Sequence, residues 1–378
     1  MAQQVIRPGA VPRATARGLE PSQIRTPAQL AWRQLRRHRM ALAGGAVLVV
    51  LYTLVIFAEF IAPYSLDYSD RARFYHPPVV PQFWDARGVS LRPFVHATTL
   101  TDPGLRRYSV DDTRRYYVRF FTRGEPYRLF GLIPSTVHLF GVDEPGRIFL
   151  MGTDQSGRDQ FSRILYGSRI SMSIGILAAG ITIPIGMLYG GIAGYYGGRI
   201  DNVMMRIAEM MIAFPGFYLL LTLSAVLPTN VACTTRFYLI TFILAFLGWA
   251  GFSRLIRGMV LSLKEREYVL AARAAGLDDL RVIMRHVLPN TASLVIVVAT
   301  LGIPGAILGE SSLSFFGFGV REPCSSWGNL LVAASNLPTL ILSPWLLFPG
   351  VFIIAAVVAF NLFGDGLRDA LDPRLRTG

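Results

Sequence analysis

Long apolar runs separated by polar segments dominate this chain. A helix needs about 20 predominantly apolar residues to cross the hydrocarbon core of a bilayer. The first run reaches that length, and the shorter fourth run can extend through Arg254, whose side chain can reach the headgroups. The pattern predicts an all-α integral membrane protein with six transmembrane helices. The six runs lie near residues 40–62, 170–195, 203–227, 237–254, 288–308 and 344–363.

The segment before the first run has two parts. Residues 1–29 are rich in Pro, Gly, Gln and Arg and lack apolar periodicity, which predicts a disordered tail. Residues 30–39 (LAWRQLRRHR) are basic and amphipathic. They serve as an orientation signal, and they also fit an elbow helix on the membrane surface with Trp32 and Leu35 in the interface. The cations expected at the headgroups are Arg36, Arg37 and Arg39.

A long polar segment separates the first and second runs. Within residues 65–150, alternating stretches such as YVRFF at 117–121 and YRLFGL at 127–132 are interrupted by Gly124 and Pro126. Alternation with a period of two is typical of strands. We therefore expect a small β-rich insertion, and the alternative is an irregular loop packed on the spans.

Composition supports lipid as the solvent. Of the 378 residues, 52% are hydrophobic and 16% are charged, whereas a soluble domain carries about 25% charged residues. The net charge of +13 is spread over tails and loops without a basic stripe and interleaved aromatics, which argues against nucleic-acid binding. Phosphate-loop, HExxH and GxSxG sequences do not occur, so we expect no ATPase site, catalytic residue, metal site or cofactor on this chain.

Positive charge alternates between the short loops. By the positive-inside rule, the basic N-terminal segment, the loops after spans two and four, and the C-terminus are cytoplasmic. The loops after spans three and five carry one Arg each, Arg236 and Arg321, and are expected outside together with residues 63–169. This agreement over six spans predicts a multi-pass protein of the bacterial inner membrane. The loop after span four and its flanks carry the cations Arg254, Arg257, Lys264, Arg266, Arg273, Arg281 and Arg285.

The inside loop at 264–290 reads KEREYVLAARAAGLDDLRVIMRHVLPN. Residues 267–275 predict a short helix that four alanines keep narrow. Gly276 ends it, because Gly tolerates the left-handed conformation found at helix C-termini. Such a helix–Gly–helix element is small enough to dock in a groove on a partner, and the alternative is an ordinary amphipathic connector.

This loop resembles the cytoplasmic EAA loop of binding-protein-dependent ABC permeases, in the variant of the dipeptide/oligopeptide/nickel subfamily. The family places a Gly six residues after the first motif position and a Leu-Pro pair further on, here Leu270, Gly276 and Leu288-Pro289. Leu270 departs from the family pattern, which has an acidic residue there, and Glu267 lies one turn earlier. The residues that the resemblance assigns to ATPase coupling are Glu267, Tyr268, Ala271, Ala272, Gly276, Leu288 and Pro289.

Other segments resemble the same subfamily, over residues 30–64 and 150–375. The basic elbow and a first span that ends in Ala62-Pro63-Tyr64 are similar to the C-type subunit of the permease pair. The remaining matching stretches are Gly152–Asp154, Gly157–Asp159, Ser162–Arg163, Gly167–Ser171, Gly194–Asp201, Ala213–Gly216, Glu310–Gly317, Ser326–Gly328 and Gly364–Arg374.

The resemblance implies the transmembrane subunit of an ATP-driven importer of di- and oligopeptides or similar small solutes. The partners it implies are a second homologous permease, two ATP-binding cassette ATPases, a periplasmic solute-binding protein and membrane lipid. The chain then divides into the tail 1–29, elbow and first span 30–64, a periplasmic insertion 65–150, and a permease core 151–378 with five spans. The rival classes are a membrane-embedded enzyme and an exporter or channel subunit.

Charged residues in or beside the spans are functional candidates, because a charge at the bilayer centre costs at least about 2.5–3.5 kcal/mol. Arg206 and Glu209 are three residues apart and can pair on one helix face. Glu310 lies near the outer end of span five and is a candidate for the transport pathway. Prolines are expected to kink several spans, and they are Pro184, Pro215, Pro304 and Pro349.

The only two cysteines, Cys233 and Cys324, fall in loops that the charge pattern places outside. Disulfides persist in that oxidising compartment. A bridge closing a loop of about 90 residues would stabilise the fold by a few kcal/mol. The alternative is a pair of free, partly buried thiols, because a bridge requires Cα atoms within about 7 Å of each other.

Overall fold

The apolar runs fold as long helices in the computed structural model, which describes residues 27–228 and 230–371. Within those residues, five helical segments are long and apolar enough to cross a membrane, and the bent pair α5–α6 makes a sixth if it counts as one span. The helices are α1 Pro27–Arg37, α2 Arg39–Ile56, α3 Ala58–Ile61, α4 Gln160–Tyr196, α5 Gly198–Ala213, α6 Gly216–Ala225, α7 Cys233–Leu263, α8 Glu267–Ala274, α9 Asp279–Val282, α10 Ala292–Phe315, α11 Trp327–Leu330, α12 Leu337–Leu342 and α13 Phe348–Leu371.

A four-stranded antiparallel sheet lies within the predicted insertion, so the expected β-rich insertion is confirmed and the irregular-loop alternative is wrong. Its strands are longer than expected, because β3 continues through Gly124 and Pro126 with only a shift of register between Arg123 and Tyr127. The strands follow the order β1-β2-β3-β4 and are β1 Gln82–Asp85, β2 Gly88–Asp102, β3 Arg107–Leu129 and β4 Ile133–Val142.

The helix α4 begins at Gln160, well before the apolar run predicted at 170–195. The Asp159 carboxylate caps it by accepting from the Ser162 amide at 2.8 Å. The apolar run marks only the part of a helix that lipid surrounds, whereas the cap fixes where the helix begins. The helix α7, at Cys233–Leu263, also extends beyond the predicted run 237–254 at both ends, although no side chain caps its first turn.

The third run is broken rather than continuous. The helices α5 and α6 meet at an angle of 79° around Phe214 and Pro215. Phe214 is extended, with φ −75° and ψ 135°, because the ring of the following proline disfavours the helical conformation. Pro184 and Pro304, in contrast, lie within α4 and α10, which continue past them.

The helix α1 packs against the C-terminal end of α13. Leu35 is buried in a cluster with Ala41 and Ala370, so it contacts protein and not the membrane interface that the sequence pattern predicts for it. Trp32 is 53% exposed, with the Arg36 guanidinium 4.9 Å from its ring centre. The helix takes in residues 27–29, which the sequence pattern assigns to the tail, and residues 1–26 of that tail lie outside the described residues.

Two contacts fix the insertion to the spans. The ring of His138 is hydrogen-bonded through Nδ1 to the Ala62 carbonyl at 2.6 Å, at the end of the first span. At the β2–β3 turn, the Arg106 guanidinium donates to the Ser343 hydroxyl at 3.0 Å and to the Thr339 carbonyl at 3.3 Å. The sheet therefore connects the end of the first span to the segment before the last one.

Three histidines of the insertion region, His76, His96 and His138, are buried. His96 Nδ1 donates to the Arg114 carbonyl at 3.0 Å. His76 is 1% exposed, and its ring nitrogens lie 2.7 Å from the Pro77 carbonyl and 2.6 Å from the Thr98 hydroxyl. The imidazoles act as interior hydrogen-bonding groups, a role that spacing alone does not reveal.

Acidification is expected to loosen the sheet around His76. Burial lowers the pKa of His76 to about 4, whereas an unfolded histidine titrates near 6.5. The unfolded chain therefore takes up the proton first, and a stabilisation of about 3 kcal/mol is complete above pH 6.5 and lost as pH falls towards 4. The protection factors of the amides of residues 73–98, which compare the measured hydrogen-exchange rate with that of an unstructured chain at the same pH, should fall over that interval. His76→Gln should flatten this dependence and His38→Gln should not; an unchanged profile in His76→Gln would contradict the assignment.

Small residues allow α4 and α7 to cross closely. A Cβ at Gly190 would lie 2.2 Å from the Ser253 carbonyl oxygen, and one at Gly194 would lie 2.9 Å from the Arg257 carbonyl oxygen. Close approach of backbones through small residues is the usual packing mode of membrane helices. The crossing holds the C-terminal half of α4 in place, and the loop between α7 and α10 is attached to the end of that half.

Candidate functional site

The loop between the fourth and fifth spans forms the predicted helix–Gly–helix element. The helix α8 ends where Gly276 adopts φ +80°. The Gly276 amide donates to the Arg273 carbonyl at 2.9 Å, and the Leu277 amide donates to the Ala272 carbonyl at 3.3 Å. These bonds reverse the chain after the helix in the manner of a Schellman motif. A Cβ at Gly276 would contact no atom within 4 Å, so the backbone conformation and not space requires glycine.

The residues assigned to coupling divide into two groups. Ala272 and Leu288 are buried with Val269 in a cluster that includes the ends of α4 and α7. They attach the loop to the rest of the chain. The assigned residues that remain exposed are Glu267, Tyr268, Ala271, Gly276 and Pro289.

A polar network fixes the loop to the C-terminal end of α4. The Tyr195 hydroxyl donates to Asp279 Oδ1 at 2.7 Å and accepts from Arg273 Nε at 2.8 Å. The Arg273 guanidinium also lies 4.3 Å from the centre of the Tyr195 ring. Lys264 Nζ donates to the Gly194 carbonyl at 3.2 Å. A force on the loop is therefore transmitted directly to α4.

Apolar side chains remain exposed on this polar loop. Tyr268 is 41% exposed, Leu270 49%, Leu280 54% and Met284 47%. Contiguous exposed apolar side chains at a loop are typical of a protein–protein contact. Leu270, which replaces the acidic residue of the family pattern, adds to this surface.

A second candidate surface lies within the spans. A groove of about 720 Å³ runs between α4, α6, α7 and α10, and the lining residues that the structure describes include none that is charged. Small residues supply much of this lining, and Phe217 and Phe252 are its two aromatic residues. The small residues are Gly175, Ala178, Ala179, Gly216, Gly248, Gly251, Ala299, Gly302, Gly305, Ala306 and Gly309.

The polar candidates within the spans are not part of that groove. Arg206 and Glu209 pair with each other at 3.1 Å on the exposed face of α5. Glu310 is fully buried, so it has no exposed atom that could line a pathway. It accepts from the hydroxyls of Ser314 at 2.6 Å and Ser171 at 3.2 Å. The Ser171 hydroxyl in turn accepts from the Trp327 amide, so Glu310 connects α4, α10 and α11.

The subfamily-like stretch before α4 forms a charged network. Asp154 accepts from Arg158 Nε at 2.7 Å and pairs with Arg163, and both Asp154 and Arg163 are buried. Glu322, which follows α10, pairs with Arg163 and with Arg158, in the latter case at 2.7 Å. These four side chains join the segment that enters α4 to the segment that leaves α10, beside a cavity of about 580 Å³.

Two further ion pairs join helices. Arg169 of α4 binds both carboxylate oxygens of Glu59, at the end of the first span. Arg257 of α7 donates to the two oxygens of Asp201 in α5, at 2.5 and 2.6 Å. The sequence shows which residues are charged. The two members of each pair are far apart along the chain, so their spacing does not predict that they pair.

The structure links Cys233, at the start of α7, to Cys324, after α10, through a disulfide with Cα atoms 5.9 Å apart. Arg236 lies one turn beyond Cys233 and donates to the Gly319 carbonyl at 2.6 Å. The same two segments are thus joined by a covalent bond and by hydrogen bonds.

Alkylation of the denatured protein should show whether the bridge forms in the cell. We expect no alkylated cysteine without prior reduction and two after it, as read by mass spectrometry. Protein reduced before denaturation is the matched control. Two alkylated thiols in the unreduced sample would exclude the bridge.

Among the described residues, no group of three or more His, Cys, Asp or Glu side chains is arranged to hold a metal ion. The candidate site therefore consists of the helix–Gly–helix loop at 264–290, a groove between the spans, and ion pairs that join helices.

The comparison with known families agrees with this geometry. Residues 183–377 match the family described as binding-protein-dependent transport system inner membrane component. The chain belongs to this family. Residues 26–78 match the N-terminal transmembrane domain of oligopeptide transport permease C. The chain is therefore a multi-pass membrane component of a transport system, and the membrane-embedded enzyme considered as a rival is not supported.

Individual relatives cover most of the chain. The dipeptide transport system permease protein of Bacillus subtilis is 36% identical over 92% of this chain and 86% of its own length. The glutathione transport system permease protein of Escherichia coli O157:H7 is 33% identical over 95% of this chain and 94% of its own length. The oligopeptide transport system permease protein of Haemophilus influenzae is 44% identical over 63% of this chain and 71% of its own length.

Proposed function

We propose that this permease subunit imports di- and oligopeptides or related small solutes such as glutathione in an ATP-driven complex. Its partners are a second homologous permease, two ATP-binding cassette ATPases and a periplasmic solute-binding protein. The names of the relatives support the solute class. The observation that carries the mechanism is the loop around Gly276, which exposes apolar side chains and is fixed to α4.

The exposed side of α8 docks in the ATPase, with Glu267, Tyr268, Ala271, Gly276 and Pro289 on the contacting surface. ATP binding and hydrolysis move the loop, and the attachment to Tyr195 carries that motion to α4. Because α4 forms one wall of the groove between the spans, the groove is the part of the solute pathway that this chain supplies. The two conformations are populated according to the ligand bound to the ATPases.

The termini and the docking loop are cytoplasmic in this proposal. The distribution of Lys and Arg supports it, since the elbow, the loop at 264–290 and the C-terminal segment each carry three or more of these residues, and the positive-inside rule counts cations and not net charge. The His38 ring lies 3.7 Å from the Asp369 carboxylate, so the beginning of the first span and the end of the last are neighbours. The insertion at 65–150 is then periplasmic, on the side that receives the binding protein.

Reconstitution tests the proposal. The chain is placed in proteoliposomes with the permease and ATPases encoded beside it, and the uptake of a radiolabelled dipeptide supplied with the binding protein is measured. Uptake should require ATP on the ATPase side and the binding protein on the opposite side. Solute movement towards the binding-protein side, or uptake that is independent of ATP, would contradict import.

A further inference from the structure

The β3–β4 turn carries an exposed apolar tip. It connects Leu129 to Ile133 and contains Phe130, Gly131 and Leu132. Phe130 is 51% exposed, Leu132 81% and Ile133 56%. Turns in water are usually polar, so three neighbouring exposed apolar side chains at a turn point to an apolar environment outside this chain.

The hairpin runs along the first span with this tip towards the membrane. The ring of Phe121 lies 6.1 Å from that of Phe60, and the ring of Phe130, nearer the tip, lies 6.1 Å from that of Phe57. From residue 60 to residue 57 the first span runs from its outer end towards the apolar helix α2. Progress along the hairpin towards its tip is therefore progress towards the bilayer.

The surface next to the tip is the exposed apolar side of the first span. Phe57 directly follows α2, on which Val49, Val50 and Ile56 are 67%, 57% and 46% exposed. Exposed side chains of this kind on a spanning helix face acyl chains or another spanning subunit. Phe130 contacts Phe57, so the apolar surface of the turn continues the apolar surface of the span.

Two exposed arginines precede the apolar tip on β3. Arg123 and Arg128 are exposed on β3, within a few residues of the turn on its sheet side. Proteins that bind a membrane interface typically place apolar or aromatic side chains among the acyl chains and arginines at the lipid phosphates. The hairpin has the same order, with apolar side chains at its tip and arginines behind the tip. A docking protein would not require this order of side chains along the hairpin.

We propose that the β3–β4 turn is inserted in the membrane interface beside the outer end of the first span. Phe130, Leu132 and Ile133 contact acyl chains, and Arg123 and Arg128 bind lipid phosphates. The sheet then has a third attachment besides those of His138 and Arg106. This anchor restrains the insertion on the side away from α12.

A nitroxide at position 132 tests this directly. The full-length Leu132→Cys chain is labelled and placed in vesicles of phosphatidylethanolamine and phosphatidylglycerol, and collisions with oxygen and with a water-soluble nickel chelate are compared. The nitroxide should collide more often with oxygen than with the nickel chelate at Leu132→Cys and at a second labelled position, Ile133→Cys. Asp112→Cys, at an exposed polar site on β3 well before the turn, is the aqueous control, and the unsubstituted chain gives the background labelling.

Each other outcome overturns the anchor. Dominance of the nickel chelate at positions 132 and 133 places the turn in water. Few collisions with either reagent place it against a protein. The measurement does not depend on transport, so its failure leaves the proposed function untouched, and failure of ATP-dependent uptake leaves the anchor untouched.

Discussion

Replacement of Gly276 by valine is expected to reduce ATP-dependent uptake about tenfold while membrane insertion stays normal. A side chain at φ +80° costs about 1–2 kcal/mol, and a β-branched one is particularly unfavourable there. The loop relieves that cost by leaving the left-handed conformation, which changes the direction of α9 relative to α8. Since about 1.4 kcal/mol is a factor of ten in a docking equilibrium, coupling should suffer strongly.

The measurement is solute uptake per ATP hydrolysed in proteoliposomes. Gly317→Val is the matched control. Gly317 has φ +79° and, like Gly276, no atom within 4 Å of an added Cβ, but it follows α10 and lies outside the loop at 264–290. It should carry a similar conformational cost without a loss of coupling. Gly276→Asn should give an intermediate effect, because Asn tolerates the left-handed region. Normal coupling in Gly276→Val, or an equal loss in Gly317→Val, would remove the role given to this turn.

The spans and the helix–Gly–helix loop at 264–290 could be predicted from the sequence because the residues that identify them are neighbours in the chain. An apolar run needs no partner to identify it, and Gly276 ends a helix by its own conformational freedom. The start of α4 is less visible, because Asp159 caps it in a polar stretch outside the apolar run. The strand β3 was also harder to delimit, since Gly124 and Pro126 are accommodated by a register shift.

The fate of each polar side chain depended on distant partners. Tyr195 contacts Asp279, and Glu59 contacts Arg169, over separations of 84 and 110 residues. Glu310 illustrates the consequence: its position in a span suggests a pathway, whereas hydroxyl groups on α4 and α10 enclose it completely. Burial arises from the packing of three helices, which no single segment encodes.

Loss of the Asp154 charge is expected to destabilise the region where α4 begins more than any other single change at that end. Arg163 is 3% exposed and pairs with Asp154 and with Glu322, whose side chain is 52% exposed. Asp154→Asn leaves a buried guanidinium with only the solvated carboxylate as a counter-charge. Removal of one partner from a buried pair typically costs about 3–5 kcal/mol.

The thermal unfolding midpoint in vesicles measures this effect, with Glu322→Gln as the matched control. A pair with an exposed partner contributes about 0–1 kcal/mol, so the control should shift the midpoint far less than Asp154→Asn. The double variant Asp154→Asn with Arg163→Met should recover part of the loss, because it removes the uncompensated charge. Equal shifts for Asp154→Asn and Glu322→Gln would mean that burial of Arg163 does not control the strength of the network. Asparagine at position 154 can still accept from the Ser156 and Arg158 amides through Oδ1, so Asp154→Asn leaves those two bonds in place. A double variant no more stable than Asp154→Asn would therefore exclude the uncompensated charge of Arg163 as the cause of the loss.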